Sequence, residues 1–113
     1  LQGNAAARAV FAPMLAPFAD LGATTLTIKN VGSTDHMPFT SVGIPAFTFI
    51  QDPIAYEPLT NHTNADVANN LLPADLQQAA VVTAAVLYQT ANLAERVPRR
   101  PLPPARTSQR VTK

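Results

Sequence analysis

Two histidines are the residues of this chain best suited to chemistry. His36 follows Asp35 in a polar segment, and His62 is followed four residues later by Asp66. A neutral imidazole is a good zinc ligand, and its second ring nitrogen usually needs a carboxylate or a carbonyl to orient it. His62 and Asp66 therefore predict a metal ligand with an orienting carboxylate. A histidine on the surface of a polar loop accounts for the same spacing, so both interpretations stay open.

Asp35 and His36 also have two interpretations. They fit a turn in which the aspartate side chain bonds to the local backbone. They also fit a functional pair, because ligand sites in open α/β sheets lie at the carboxyl ends of strands. Asn61, directly before His62, is by default a turn-forming residue.

Two segments are typical of strands, and a third is typical of a long helix. Residues 23–30 are rich in threonine and β-branched residues, and residues 44–50 form a short apolar run. Residues 72–97 predict a helix that packs on the resulting sheet. The residues expected to face the sheet are Leu76, Ala80, Thr83 and Leu87. Before them, prolines interrupt an apolar helical pattern that ends at Gly22.

These elements predict about half of an α/β layer. Strands as apolar as residues 44–50 usually lie in sheets that are covered on both faces, and this chain does not supply both covers. We therefore expect the C-terminal portion of a larger α/β domain in residues 1–97, followed by a Pro/Arg-rich extended tail in residues 98–113. The first residue, Leu1, is not an initiator methionine, which also favours a piece of a longer protein.

The composition excludes several classes of protein. Of the 113 residues, 47% are hydrophobic and 13% are charged; the charged share is about half the usual one, so part of the surface is expected to be neutral or covered. Cysteine is absent, which excludes a disulfide scaffold, thiol catalysis and thiolate zinc fingers. No apolar run approaches the roughly 18 residues of a membrane span. The basic segment 96–113 lacks interleaved aromatic residues, so we expect no nucleic-acid recognition.

Four segments in a fixed order resemble a known family. They are Gly-Ser-Thr-Asp-His-Met-Pro-Phe (32–39), Val-Gly-Ile-Pro (42–45), Phe-Ile-Gln-Asp-Pro (49–53) and Asn-His-Thr-Asn-Ala-Asp (61–66). Together they look like the C-terminal part of the M28 family of zinc peptidases, which are co-catalytic dinuclear zinc aminopeptidases and carboxypeptidases. The ordered set is specific, whereas any one segment alone is not.

The resemblance implies a fold and a set of roles. The family fold is a mixed β-sheet flanked by helices, which agrees with the α/β layer expected above. His62 takes the place of a zinc ligand, and Asp66 that of the acidic residue after it. Asp35, His36 and Phe39 take places that line the active site, so His36 and Asp35 are candidate catalytic residues.

The remaining machinery of the family is not in this chain. The family holds its two zinc ions with an additional His-x-Asp segment and a Glu-Glu pair, neither of which occurs here. The resemblance therefore implies a zinc-dependent exopeptidase acting on peptides, whose other ligands precede Leu1, and a catalytically inert isolated chain. Asn61 stands where many relatives have tyrosine or histidine, and its amide is a candidate donor in the pocket.

Two other functions stay open. The segments 35–39 and 43–45 also resemble those of glutaminyl cyclases, but these related zinc enzymes usually have tryptophan before the ligand histidine, and the chain contains none. The other alternative is a non-catalytic association module whose basic tail binds an acidic partner. The family resemblance favours export to the periplasm or the cell exterior, and the oligomeric state stays open.

Overall fold

The computed structural model describes residues 1–53 and 56–101. About half of them, 49%, are helical. The four α-helices are α1 (Arg8–Leu15), α2 (His36–Ser41), α3 (Tyr56–Leu59) and α4 (Pro73–Ala91). Three 3₁₀ segments lie at Ala5–Ala7, Ala16–Leu21 and Ala68–Asn70.

The predicted α/β fold with a mixed sheet is wrong, because the described part of the chain contains no strand. Residues 23–30 and 44–50, which were expected to pair, are irregular. Their backbone groups bond to other segments: the N–H of Gly3 donates to the carbonyl of Ile28 at 2.8 Å, and the N–H of Ile44 donates to Phe39 at 3.0 Å. β-Branched composition reports how a side chain fits a pleated, half-buried surface, and it does not supply the neighbouring strand that a ladder requires.

The first helical region is broken, as the sequence predicts. α1 contains Pro13 and runs directly into the 3₁₀ segment Ala16–Leu21. Gly22 ends this segment with φ +80°, and its N–H donates to the carbonyl of Ala19 at 3.0 Å. Only glycine adopts this left-handed conformation without strain, so it is the default residue for a helix end of this kind.

The core forms where α4 lies against α1. Its buried residues are Ala7, Phe11, Met14 and Val86. The ring of Phe11 meets that of Phe47 edge-on, with centroids 5.2 Å apart and planes at 81°, an arrangement that aromatic pairs prefer. Polar side chains on α4 also reach the first helical region: the Thr90 hydroxyl contacts the Met14 sulfur at 3.7 Å, so the helices are held by more than apolar contact.

The buried face of α4 differs from the predicted one. Val82 and Val86 are buried, whereas Leu76 is 50% exposed and Leu87 is 61% exposed. The helix ends at Ala91 instead of near residue 97. Apolar residues occur on almost every side of α4, so periodicity could not select the packing face. A helix that is apolar all round is usually covered on more than one side.

The described chain is more extended than a compact domain of its length. Its radius of gyration is 17.9 Å, against about 13 Å expected for a compact domain of this size. Large apolar side chains are exposed on several elements. They include Phe39, Phe49, Ile50, Leu59, Leu72, Leu76, Val81, Leu87 and Tyr88. No helix among the described residues combines the length and the apolar character needed to cross a membrane.

Candidate functional site

His36 begins α2 and is buried, with 8% of its surface exposed. Both ring nitrogens have side-chain partners: Nδ1 contacts the Thr34 hydroxyl, and Nε2 contacts the side-chain amide of Gln2. The hydroxyl of Thr40, one turn further along α2, donates to the main-chain carbonyl of His36 at 3.0 Å. His36 is therefore fixed in position through both its ring and its backbone.

Gln2 and Arg100 belong to this cluster, and the sequence interpretation missed them. The side-chain amide of Gln2 makes two hydrogen bonds with the backbone of Val31, at 2.6 Å and 2.8 Å. The Arg100 guanidinium donates to the main-chain carbonyl of Gln2 at 3.0 Å. Val31 and Arg100 lie 29 and 98 residues from Gln2 along the chain, so no local sequence pattern could predict these contacts.

The first residues of the predicted tail are packed against the same turn. The side-chain amide of Asn4 donates to the carbonyl of Pro98 at 2.7 Å, and Asn4 is buried. Together with the contact between Arg100 and Gln2, this bond holds residues 98–100 on the N-terminal turn. The rest of the predicted tail, residues 102–113, lies outside the described residues.

Two further predicted site residues lie on the open side of α2. Asp35 directly precedes the helix, and its carboxylate makes no capping hydrogen bond with the helix. Phe39 is 53% exposed. Asp35 and Phe39 are exposed, whereas His36 is buried. The three residues that the resemblance placed in one site therefore do not share one surface of the described chain.

His62 lies in the loop after α3 and is exposed. Its φ of +61° is in the left-handed region, which is uncommon for a residue other than glycine. The N–H of Thr63 donates to the carbonyl of Thr60 at 3.0 Å, so His62 occupies the third position of a tight turn. Thr60 is in turn tied to α3, because its N–H donates to the carbonyl of Tyr56 at 2.9 Å.

Asp66 pairs with a tyrosine that the sequence interpretation missed. The phenol of Tyr56 donates to the Asp66 carboxylate, with distances of 3.0 Å and 2.9 Å to the two oxygens. Acceptance of this hydrogen bond by the carboxylate raises the pKa of Tyr56, with smaller contributions from desolvation and from the charge of Asp66. The bond closes the loop that carries His62. Two polar residues ten apart give no periodic signal that could have revealed it.

A cavity of about 350 Å³ lies beside this loop. Asn61, the residue before His62, is on its wall together with Tyr56. The other lining residues are Gln51, Asp52, Pro53, Glu57, Asn70, Leu71, Leu72, Asp75 and Leu76. Its wall is mainly polar: seven of the eleven lining residues have polar side chains, three of them carboxylates, and four are apolar, so it differs from the predominantly apolar pockets of most small-molecule sites.

In the described part of the chain, the predicted metal ligand His62 does not belong to a cluster of metal-binding side chains. Within residues 1–53 and 56–101, no group of three or more His, Asp or Glu side chains is arranged to hold a metal ion. The strand ends at which Asp35 and His36 were expected to form a functional pair are also absent from this part of the chain. The ring of His36 contacts Thr34 and Gln2, whereas His62 is exposed, and neither histidine lines the cavity of about 350 Å³.

Comparison with known proteins gives one match. The sequence model described as peptidase family M28 matches residues 2–87, which include α1, α2, α3 and most of α4. No curated protein and no solved structure matches the chain.

Proposed function

We propose that this chain, which belongs to peptidase family M28, is part of the catalytic domain of a zinc-dependent exopeptidase that hydrolyses peptide bonds. The observation that carries the proposal is the family match over residues 2–87. Family M28 is generally zinc-dependent, so zinc is the cofactor that we expect in the whole enzyme. Peptides are the corresponding class of substrate.

The described residues do not by themselves fit a zinc ion. Zinc usually takes three or four protein ligands, and no such group occurs in the described part of the chain. We therefore place the other ligands outside this chain and assign one ligand to His62. Its exposed imidazole is accessible to a metal that is held mainly by another part of the protein.

We assign substrate binding to the cavity beside the His62 loop. The amide of Asn61 lies on its wall and can donate to, or accept from, a peptide group. Asp35 and Phe39, on the open side of α2, are proposed to line the pocket in the whole enzyme. His36, whose ring nitrogens are both engaged, is proposed to hold α2 in place.

The exposed apolar surface supports the proposal that the chain is part of a larger domain. Leu76 and Leu87 lie exposed on α4, and Phe49 and Ile50 are exposed before α3. Many exposed large apolar side chains on one protein usually mark a surface that contacts another protein segment. We propose that the rest of the catalytic domain covers it, with residues 1–97 as the domain part and 98–113 as the tail. Export of the protein stays a prediction from the family resemblance.

The test is a His62→Ala variant of the full-length protein, compared with Asn64→Ala. Both residues are exposed in the same loop, and only His62 is proposed to bind metal. We expect His62→Ala to lose zinc, measured by metal analysis, and to lose nearly all hydrolysis of a panel of peptides. Asn64→Ala should retain both.

The outcomes separate the parts of the proposal. If His62→Ala keeps full zinc and full rate, the ligand assignment is wrong. If the unmodified full-length protein cleaves no peptide but cyclises peptides with N-terminal glutamine, the exopeptidase assignment is wrong, and the glutaminyl cyclase alternative takes its place.

A further inference from the structure

The cavity of about 350 Å³ is lined by three carboxylates that come from different segments of the chain. Asp52 lies in the irregular segment before α3, Glu57 lies in the first turn of α3, and Asp75 lies in the first turn of α4. None of the other described residues that line the cavity is basic. Three acidic residues and no basic one give the described wall a formal charge of −3.

Helix stability explains only part of this arrangement. An acidic residue in the first turn of a helix is stabilised by the helix dipole, which suits Asp75 in particular, since α4 has 19 residues. The dipole of α3 is small, because this helix has four residues. Asp52 is not in a helix, so no helix dipole accounts for its place on the same wall.

Hydrogen bonds fix the neutral polar side of the wall. The phenol of Tyr56 donates to the Asp66 carboxylate at 2.9 Å, and the side-chain amide of Asn70 donates to the carbonyl of Ala65 at 2.7 Å. The N–H of Asn61 donates to the carbonyl of Tyr56 at 3.1 Å. These bonds tie the loop between α3 and α4 to α3 and to itself, so this side of the cavity has a defined position.

The rest of the wall is apolar and consists of Pro53, Leu71, Leu72 and Leu76. Lysine and arginine side chains lay their methylene stems along apolar surface and keep the charged group among polar partners. The α-ammonium group of a peptide has no such stem. A wall that joins apolar side chains to carboxylates is therefore complementary to a basic side chain.

A metal ion fits these carboxylates less well than an organic cation. Within the described part of the chain, no group of three or more His, Asp or Glu side chains is arranged to hold a metal ion, so the three carboxylates do not converge on one point. A cleft lined by charges of one sign nevertheless attracts an ion of the opposite sign. The volume of about 350 Å³ falls within the range of about 300–1,000 Å³ of ligand pockets.

We propose that this cavity selects peptides with a basic side chain, arginine or lysine, and that Asp52, Glu57 and Asp75 determine this preference. The proposal rests on the proposed function, which assigns the peptide to the same cavity. The apolar residues contact the stem of the side chain, and the carboxylates attract its guanidinium or ammonium group. An acidic side chain is repelled by the same wall, so specificity arises from repulsion as well as attraction.

The test compares peptides that differ only in side-chain charge, with the full-length protein. Citrulline is neutral and nearly isosteric with arginine, and the two peptides have the same termini. The residue is placed at the amino end in one series and at the carboxyl end in another. In one series, kcat/KM should be about tenfold higher for arginine than for citrulline, and lowest for glutamate. Because salt screens exposed charges, added NaCl should lower the arginine-to-citrulline ratio.

Neutral variants assign the preference to the wall. Asp52→Asn, Glu57→Gln and Asp75→Asn keep the size of each side chain and remove its charge. Each should lower the arginine-to-citrulline ratio about twofold, since ion pairs that are open to solvent are weak, and the triple variant should bring the ratio close to one. Glu95→Gln is the control: this exposed carboxylate after α4 does not line the cavity, so its loss should leave the ratio unchanged.

The outcomes separate this proposal from the proposed function. Equal kcat/KM for the arginine and citrulline peptides, or a ratio that persists in the triple variant, would overturn the preference and leave peptide hydrolysis standing. If the full-length protein hydrolyses no peptide, the proposed function fails, and isothermal titration calorimetry with the same two peptides decides the preference. Tighter binding of the arginine peptide that is lost in the triple variant supports it, and equal affinities overturn it.

Discussion

The two faces of α4 give the sharpest test of the packing. Val86 is 5% exposed and contacts the core formed with Phe11 and Met14, whereas the next residue, Leu87, is 61% exposed. Val86→Ala removes two buried methyl groups, a loss of about 1.6 kcal/mol at about 0.8 kcal/mol each. The cavity left behind adds about 1 kcal/mol, and the better helix propensity of alanine returns about 0.5 kcal/mol. The net loss expected in the free energy of unfolding is about 2 kcal/mol.

Leu87→Ala removes a larger side chain from a position that is mainly in water. Its expected effect on the isolated chain is within about 0.5 kcal/mol. The assay is urea unfolding followed by far-ultraviolet circular dichroism, in which a change of midpoint at constant slope reports stability. Equal losses for the two variants would show that the buried face of α4 has been assigned wrongly.

The same pair of variants tests the proposed larger domain. In the full-length protein, the rest of the catalytic domain is proposed to cover the exposed face of α4. Leu87→Ala should then lower the free energy of unfolding by about 2–5 kcal/mol, as for a buried leucine. The Val86→Ala loss should stay near about 2 kcal/mol, because that site is already enclosed. If Leu87→Ala remains without effect in the full-length protein, the rest of the protein does not cover this face.

Three further predictions concern backbone strain, a tyrosine pKa and metal content. Gly3 has φ +72°, and a Cβ there would lie 2.9 Å from the Arg100 guanidinium, so Gly3→Ala should destabilise the chain by about 1–2 kcal/mol. The control is Gly32→Ala, where a Cβ meets nothing within 4 Å. In urea unfolding, this control should change stability by less than about 0.5 kcal/mol. In a Tyr88→Phe variant, Tyr56 is the remaining tyrosine, and its ionisation, followed by ultraviolet absorbance, should occur above the ordinary pKa of about 10. Because the folded state holds the phenol proton more tightly, this stabilisation is complete below the ordinary pKa and is lost as the pH rises through the raised value; an unchanged midpoint after adding Asp66→Ala would contradict the assigned cause. The isolated chain should bind no zinc stoichiometrically and should not hydrolyse aminoacyl anilides, and chelator-sensitive turnover free of contaminant would contradict this.

Local signals in the sequence predicted the broken first helical region and the start of α4, but not α3. Pro13 and Gly22 respectively interrupt and end the first helical region, and both effects depend only on the residue itself. Pro73 begins α4, since proline fits the first turn, where no N–H donor is needed. The family was also predicted correctly, because its segments occur in a fixed order along the chain.

Features that depend on distant partners were not predictable in this way. A strand exists only when another strand accepts its hydrogen bonds, so the apolar run at residues 44–50 could not establish one. The packing face of α4 depends on which neighbour is present, and its sequence is apolar on several sides. Gln2 and His36 lie 34 residues apart, so their contact required the fold itself.

The different surroundings of the two histidines support different proposed roles. His36 has both ring nitrogens bonded and is withdrawn from solvent, so its contacts hold α2 to the N-terminal turn. His62 is exposed, yet its backbone is in a left-handed conformation that costs about 1–2 kcal/mol for a residue with a Cβ. The turn from Thr60 to Thr63 and the bond between Tyr56 and Asp66 maintain that conformation. A loop that keeps the backbone of His62 in this conformation and leaves its imidazole exposed suits the proposed ligand of a metal bound mainly by another part of the protein, whereas the ring of His36 is already in contact with Thr34 and Gln2.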